Sequence, residues 1–565
     1  MDPVLIQRFA RQDTAPFIVV LREQADLSFI PRYAPKAVKG QWAYETLRRT
    51  AERTQKSLRA LLGRAGFTYR PFILVNAIYV KGDWNLARQL AARPEVQSII
   101  DDTPVHVEEP VTIEYQNNDI SPRGDEPEWG IRMIRADSVW MQDIKGQGVV
   151  VGGQDTGFDW THPAIQSRYR GDGPVPNHNY NWHDAIHEAS PLNPDSIPNP
   201  CGYNLTVPCA DHPHGTHTIG TMVGYAPDNV IGVAPQAQWI GCRNMERGWG
   251  SPASYIECFE FFLAPTDLNG ENPDVTKAPD VINNSWSCPE IEGCNPSNFA
   301  IMNQVVDNLK AAGIVVVVSA GNSGGQGCSS VNEPAAIFEN SFSVGATRWT
   351  DTLNFNDSIA SFSSRGPVMV DSSGRLKPDI SAPGQTVKSC IPDSGYAYYS
   401  GTSMAGPHVA GAVALLISAN PDLRGQVDTI EYILKQTADP KLAADTCGNV
   451  PGTQVPNNTY GYGRIHLVRA VALAKTIVIS YAPDPDPPAG ALILFPNPAT
   501  HQVRVLFPWG DGGTLTVFDS FGREVLRRQV TGFHTNFAID DLPAGCYFVQ
   551  YATDQGQTNA QLVVQ

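Results

Sequence analysis

Apolar residues recur along the chain with three different rhythms, and each change of rhythm marks a separate folded region. Between residues 15 and 108, Phe17-Ile18-Val19-Val20-Leu21 is an apolar run of strand length. Trp42 to Arg64 sets Leu47, Leu58, Leu61 and Leu62 at helical spacing with basic residues to one side, and Phe72 to Val80 is strand-like again. Asp83 can cap a helix carrying Leu86 and Leu90 that Pro94 stops. Val96 to Ile100 and Val105 to Val107 supply the last strand or strands. That order, β-α-β-β-α-β, is the split βαβ arrangement of a small α+β, ferredoxin-like domain.

From Pro279 to Leu473 apolar strands alternate with loops and helices, the signature of an α/β domain. Tyr481-Ala482-Pro483-Asp484-Pro485-Asp486-Pro487-Pro488 then reads as a stiff linker. After it come short alternating runs at 492–495, 503–507, 515–518, 537–539, 547–551 and 561–564, separated by Gly and Asp turns, which predict a small all-β sandwich. The chain thus divides into an extension at 1–14, a small domain at 15–108, a polar linker at 109–126, an α/β domain at 127–478, a Pro-rich linker at 479–490 and a β-domain at 491–565.

A length of 565 residues agrees with several domains. The net charge of −16 argues against nucleic acid and anionic membrane surfaces as partners. No run of about 18 apolar residues predicts a transmembrane helix. Met1 to Gln12 have neither the basic start nor the apolar core of a secretory leader, so no export signal is visible in this sequence. Ten cysteines without a CxxC pair, several in Pro/Gly/Asn-rich loops, favour disulfides in an oxidising compartment. Cys201 with Cys209, and Cys288 with Cys294 or Cys328, are candidate pairs, while Cys242, in an apolar strand-like run, reads as a free buried thiol. His178, His183, His187 and His212 match no tight zinc-ligand spacing.

Three segments carry chemistry. Val149 to Phe158 is an apolar strand ending in Asp155. Asp211-His212-Pro213-His214-Gly215-Thr216-His217 leads into an apolar helical run. Gly401-Thr402-Ser403-Met404-Ala405-Gly406-Pro407-His408 delivers one serine to the start of an apolar helix, where unpaired N–H groups favour negative charge. Pro407 is expected in the first turn, which needs no intrahelical N–H. Serine is a weak nucleophile that needs an adjacent base, and an imidazole base needs a carboxylate to fix its tautomer. A fourth segment, Val315 to Gly324, is an apolar strand ending at Gly321-Asn322.

In the order Asp, His, Ser these segments resemble the subtilisin-like serine proteases (subtilases). Trp129-Gly130-Ile131, Leu263-Ala264-Pro265-Thr266-Asp267 and Asp280-Val281-Ile282-Asn283-Asn284-Ser285-Trp286-Ser287 resemble the bacillopeptidase F branch. The resemblance implies a mostly parallel sheet with helices on both faces and cleavage of peptide bonds through an acyl-enzyme. In it Asp155 orients, His214 is base and then acid, Ser403 attacks, and Asn322 donates to the oxyanion. His217 is then a structural helix residue. Substrate is expected as an added strand along Ser285, Trp286, Ser287 and Gly321, with the region before His214 opposite. Gln154 departs from a position that is usually apolar, and Ser287 from one that is commonly glycine.

In its position residues 15–108 resemble the subtilase propeptide, which implies a zymogen whose own N-terminal domain inhibits it, with 109–126 as the processing region. Phe495-Pro496-Asn497-Pro498, Phe518-Asp519-Ser520-Phe521-Gly522-Arg523 and Leu542-Pro543-Ala544-Gly545 resemble the C-terminal sorting domain of Por (type IX) secretion substrates. That implies the type IX machinery as a partner and an extracellular or outer-surface location, the protein being a monomer that acts on protein or peptide substrates. No cofactor is implied for catalysis. Structural calcium is an expectation from the family, with Asp159, Asp172, Asp184 and Asp211 as acids in the insert before His214.

Overall fold

The structure, a computed structural model, describes residues 1–106, 126–193, 199–285, 296–351, 356–479, 492–495, 497–507, 512–530, 534–554 and 556–564. It forms two compact units, residues 1–479 and 480–565.

The first unit begins with a short helix, Pro3–Phe9, capped by Asp2. A four-stranded antiparallel sheet follows, in spatial order Thr68–Phe72, Ala77–Asp83, Thr14–Leu21 and Val96–Asp101. Helices Lys36–Ala65 and Trp84–Ala91 pack Leu58, Leu62, Leu86 and Leu90 against this sheet. Asp83 caps the second helix, accepting from Leu86 N at 2.8 Å. Residues 1–14, expected as an extension, instead place Leu5 in this core. The run from Phe72 to Val80, expected as one strand, is split by a turn at 73–76. The cause is Asn76, buried at the turn, whose amide donates to Glu23 O and Thr54 Oγ1, each at 2.7 Å. An apolar count does not register such an anchor.

The α/β domain is built on an eight-stranded sheet. Its spatial order is Asn356–Ile359, Phe342–Asp351, Val315–Ser319, Val281–Asn284, Val150–Asp155, Gln238–Arg243 and Trp182–Asp184, and Ile380–Pro383 also pairs with Phe342–Asp351. All pairings are parallel except that of Asn356–Ile359. Val315 to Val318 are buried throughout, as a strand covered on both faces must be. Gly153 faces Ile219 of the helix Pro213–Val223, while Gly152 faces Phe262 of the helix Pro252–Leu263. Successive strand positions therefore meet helices on opposite faces of the sheet.

Thr402–Ala419 is the one helix among the described residues that is long and apolar enough to cross a membrane. Thr402 to Ile417 are buried, so here it is the central helix of the core.

Three disulfides lie among the described residues: Cys201–Cys209, Cys242–Cys258 and Cys328–Cys447. Cys242 is thus not the free thiol its apolar run implied. The strand Gln238–Arg243 is covered by the helix Pro252–Leu263, which brings Cys258 against it. Cys328 pairs with Cys447 rather than Cys288, and Cys288 and Cys294 lie outside the described residues. Among the described residues Cys390 is the free buried thiol, its pKa pushed up to about 12 by burial.

The second unit holds a three-stranded sheet (Ile493–Phe495, Gln502–Leu506, His534–Ala538) and a four-stranded one (Glu524–Val530, Gly513–Phe518, Gly545–Thr553, Gly556–Val564) around a core that includes Val505, Leu515, Val517 and Val549. Glu524–Val530 is absent from the sequence expectation. It is an exposed edge strand bearing Glu524, Arg527 and Arg528, so it shows little apolar alternation.

Candidate active site

Asp155 ends its strand, 1% exposed, beside the first turn of the helix Pro213–Val223. The N–H of Thr156 donates to Asp155 Oδ1 at 2.8 Å, which orients the carboxylate. His214 Nδ1 lies 2.8 and 2.9 Å from the two Asp155 oxygens, so the buried imidazole carries its proton on Nδ1 and presents Nε2 on its other side. Thr156 ties strand to helix, its Oγ1 donating to His212 O and accepting from Gly215 N, each at 3.1 Å. Two glycines permit this approach. Gly157 sits at φ +92° with its Cα against the Cys209 carbonyl, where a Cβ would stand 2.0 Å away. A Cβ on Gly215 would stand 2.3 Å from Gly157 O.

Ser403 is in the first turn of the helix Thr402–Ala419. Its Oγ donates to the Ser285 carbonyl at 3.2 Å, and Ser285 Oγ donates back to the Ser403 carbonyl at 3.1 Å. The second bond has a clear origin. Pro407 lies inside the helix rather than in its first turn, four residues after Ser403. Its missing N–H is the one that would have bonded the Ser403 carbonyl, and Ser285 supplies that donor instead. Asn322 Oδ1 accepts from Thr402 N at 2.8 Å and from Thr402 Oγ1 at 3.0 Å, which turns its Nδ2 donor to the opposite side. A Cβ on Gly401 would stand 3.5 Å from that Nδ2.

The structure thus places Asp155 at a strand end and Asn322 just beyond one, with His214 and Ser403 at helix starts, and joins Asp155 to His214 and Asn322 to Thr402 beside Ser403. Ser285 supports the backbone of Ser403. Gly321 is a turn residue at φ +96°, its N–H donating to Thr402 Oγ1 at 3.1 Å and its carbonyl accepting from Ser364 N at 2.9 Å. Trp286 and Ser287 lie outside the described residues. His217 is packed as a neutral ring: it donates from Nε2 to Val387 O at 3.1 Å and stacks on Tyr399, and burial lowers its pKa to about 3.

In the region before His214, Ala210 is bridged to Gly157. A strand is added elsewhere: Val105–His106 leaves its own domain and pairs antiparallel with Trp249–Gly250. The His106 ring meets Trp249 edge-on at 4.7 Å. The N-terminal domain is held beside this strand by carboxylates at both ends of one helix. Asp102 caps its start, accepting from Ala253 N at 2.8 Å, and Glu260 near its end accepts from Ile73 N and Leu74 N at 2.6 and 2.8 Å. Withdrawal from water raises the pKa of Asp102 to about 6 and of Glu260 to about 7.

Residues 146–463 match the profile described as the subtilase family. The chain belongs to the subtilase family. Bacillopeptidase F of Bacillus subtilis (strain 168) is 36% identical over 417 residues, 71% of this subtilase but 26% of that relative's length. The match therefore spans about a quarter of that protein. Subtilisin DY of Bacillus licheniformis is 32% identical over 299 residues, covering 52% of this chain and 86% of the relative. Residues 493–565 match the secretion system C-terminal sorting domain.

One feature of this subtilase escaped the sequence reading. Arg243, fully buried, bonds both oxygens of Asp184, the carbonyl of Gly202 and Asp211 Oδ2. The available signal was an arginine ending an apolar strand, with acids in the insert before His214. Asp184 and Asp211, read as calcium candidates, take this guanidinium as their cation. Among the described residues no three His, Cys, Asp or Glu side chains gather into a metal site.

Proposed function

We propose that this subtilase is a secreted or cell-surface serine endopeptidase, made as a zymogen and acting on protein or peptide substrates. The observation that carries the reading is the Asp155–His214 hydrogen bond, together with Ser403 at a helix start whose first residue, Thr402, holds Asn322. In the reaction, Ser403 Oγ leaves the Ser285 carbonyl for His214 Nε2. The imidazole takes its proton as Oγ attacks the substrate carbonyl. Asp155 stabilises the imidazolium. The oxyanion takes donors from Asn322 Nδ2 and the Ser403 N–H, in the positive field of the helix start. His214 then protonates the leaving amine, and water releases the acyl group.

The 15–108 domain is the inhibitory propeptide of this reading. Its Val105–His106 strand on Trp249–Gly250 supports a tail that runs along the enzyme as a substrate does. The sorting domain supports export by the type IX machinery across the outer membrane. Structural calcium remains a proposal for sites other than the Arg243 pair. Labelling the matured protein with a fluorophosphonate probe tests the activity. One adduct on Ser403 is expected, together with casein cleavage. Ser403→Ala should abolish both, with a loss of roughly 10⁶-fold, the size known for a subtilisin. No adduct on folded, processed protein would overturn the reading.

A further inference from the structure

Gln154 immediately precedes Asp155 and is fully buried. Strand alternation puts its side chain on the sheet face of Gly152, away from the helices of His214 and Ser403. There its Nε2 donates to Asn284 Oδ1 on the neighbouring strand. Asn284 is also buried, and its Nδ2 donates to the Val317 carbonyl on the next strand at 3.1 Å. One pair of amides therefore crosses three parallel strands. Each of those strands leads directly to a part of the site: the first to Asp155, the second to Ser285 beneath Ser403, the third to Asn322.

The pair sits where backbone pairing stops. Gln154 with Asn284, and Asn284 with Val318, are the last partners of their two ladders. The amide bridge thus lies at the end of both ladders, one residue before Asp155 and Ser285. Stability does not explain the choice. Gln154 Oε1 makes no hydrogen bond among the described residues, and a buried amide oxygen without a partner is unfavourable. Two apolar side chains of similar shape would fill the space without that cost.

We propose that Gln154 and Asn284 are positioning residues, which fix the spacing of the three catalytic strand ends. The inference rests on the peptidase reading of the same site. They touch no substrate. They act through Asp155, whose carboxylate follows the strand end, and through Ser285, which holds the Ser403 carbonyl.

The test compares the matured full chain with Gln154→Met, Asn284→Leu and the double variant. The double variant removes both buried amides together, so its thermal midpoint should equal or exceed that of the parent. Its kcat should fall by about 10- to 100-fold, the scale of a small misplacement of reacting groups, with KM within about two-fold. The acid limb of its kcat/KM profile should move to lower pH, because a looser Asp155–His214 contact stabilises the imidazolium less. A double variant with parental kcat and an unmoved acid limb would overturn the proposal. If the single variants are the less stable ones and the double variant restores both stability and kcat, the pair only fills space, and the proposal also fails. Failure of the peptidase reading looks different: the parent itself takes no fluorophosphonate label. In that event the downfield proton resonance of His214 Nδ1–H still decides, measured on the unprocessed full chain. It should move in the double variant, and an unmoved resonance would overturn the proposal.

Discussion

At the scale of single residues, Asn322 shows how a donor is aimed by what its other end holds. Its Oδ1 accepts from Thr402 N and Oγ1, and the proposed mechanism assigns its Nδ2 to the oxyanion. Asn322→Ala should lower kcat by about 10²–10³, the loss known for the equivalent donor in a subtilisin, with little change in KM. Steady-state kinetics on a peptide anilide checks this, and an equal change in KM would assign the residue to substrate binding instead. The proton economy of the site follows the same logic. His217, one turn from His214, is kept neutral by burial, against the pull of the Val387 and Ala397 carbonyls that its Nε2 faces, so it does not compete as a base near neutral pH.

At the scale of elements, the covalent staples divide between stability and positioning. Cys328–Cys447 closes a loop of 119 residues, and Cys201–Cys209 closes one of 8. Loop-closure entropy makes the long bridge worth about 4–5 kcal/mol and the short one less. The short bridge, however, lies in the segment that Arg243 pins and that runs over Gly157 to His214. Replacing Cys328 and Cys447 by alanine should therefore lower the thermal midpoint more than replacing Cys201 and Cys209. The second pair of substitutions should cost more in kcat. Calorimetry and kinetics on the two double variants separate the effects, and the reverse order in kcat would remove the positioning role of the insert.

At the scale of the first compact unit, the N-terminal domain docks through groups whose charge is held away from water. Glu260 is the clearest, raised to about 7 by burial against the pull of two backbone N–H donors. A carboxyl with a raised pKa is most favourable when protonated. Its contribution is present below its ordinary value of 4.5 and is lost as pH rises through 7. In a full-length Ser403→Ala background, Glu260→Gln should match Glu260 in stability below about pH 4.5 and gain on it steadily up to about pH 7. Urea titrations across that range check the sign. A gap that widens toward acid instead would mean that the ionised carboxylate stabilises the docked state.

The parts of this protein that the sequence determined by itself are those encoded locally. Val315 to Val318 form an uninterrupted apolar run, Asp83 announces its helix, and the groups proposed for catalysis sit in short motifs at strand ends and helix starts. Composition changes at the Pro-rich stretch after residue 478, and the chain divides there into its two compact units. Tertiary structure decided what depends on partners distant in sequence. Asn76 became a turn because Glu23 and Thr54 meet it, and Cys242 found Cys258 because a helix folds over its strand. Val105–His106 left its own sheet for Trp249–Gly250. Pro407 required Ser285 as a substitute donor, and Arg243 gathered acids from an insert that no periodicity links to it. Local pattern reports how a segment prefers to fold. Hydrogen-bond satisfaction and charge pairing in a buried site are settled only when the chain brings the complementary groups together.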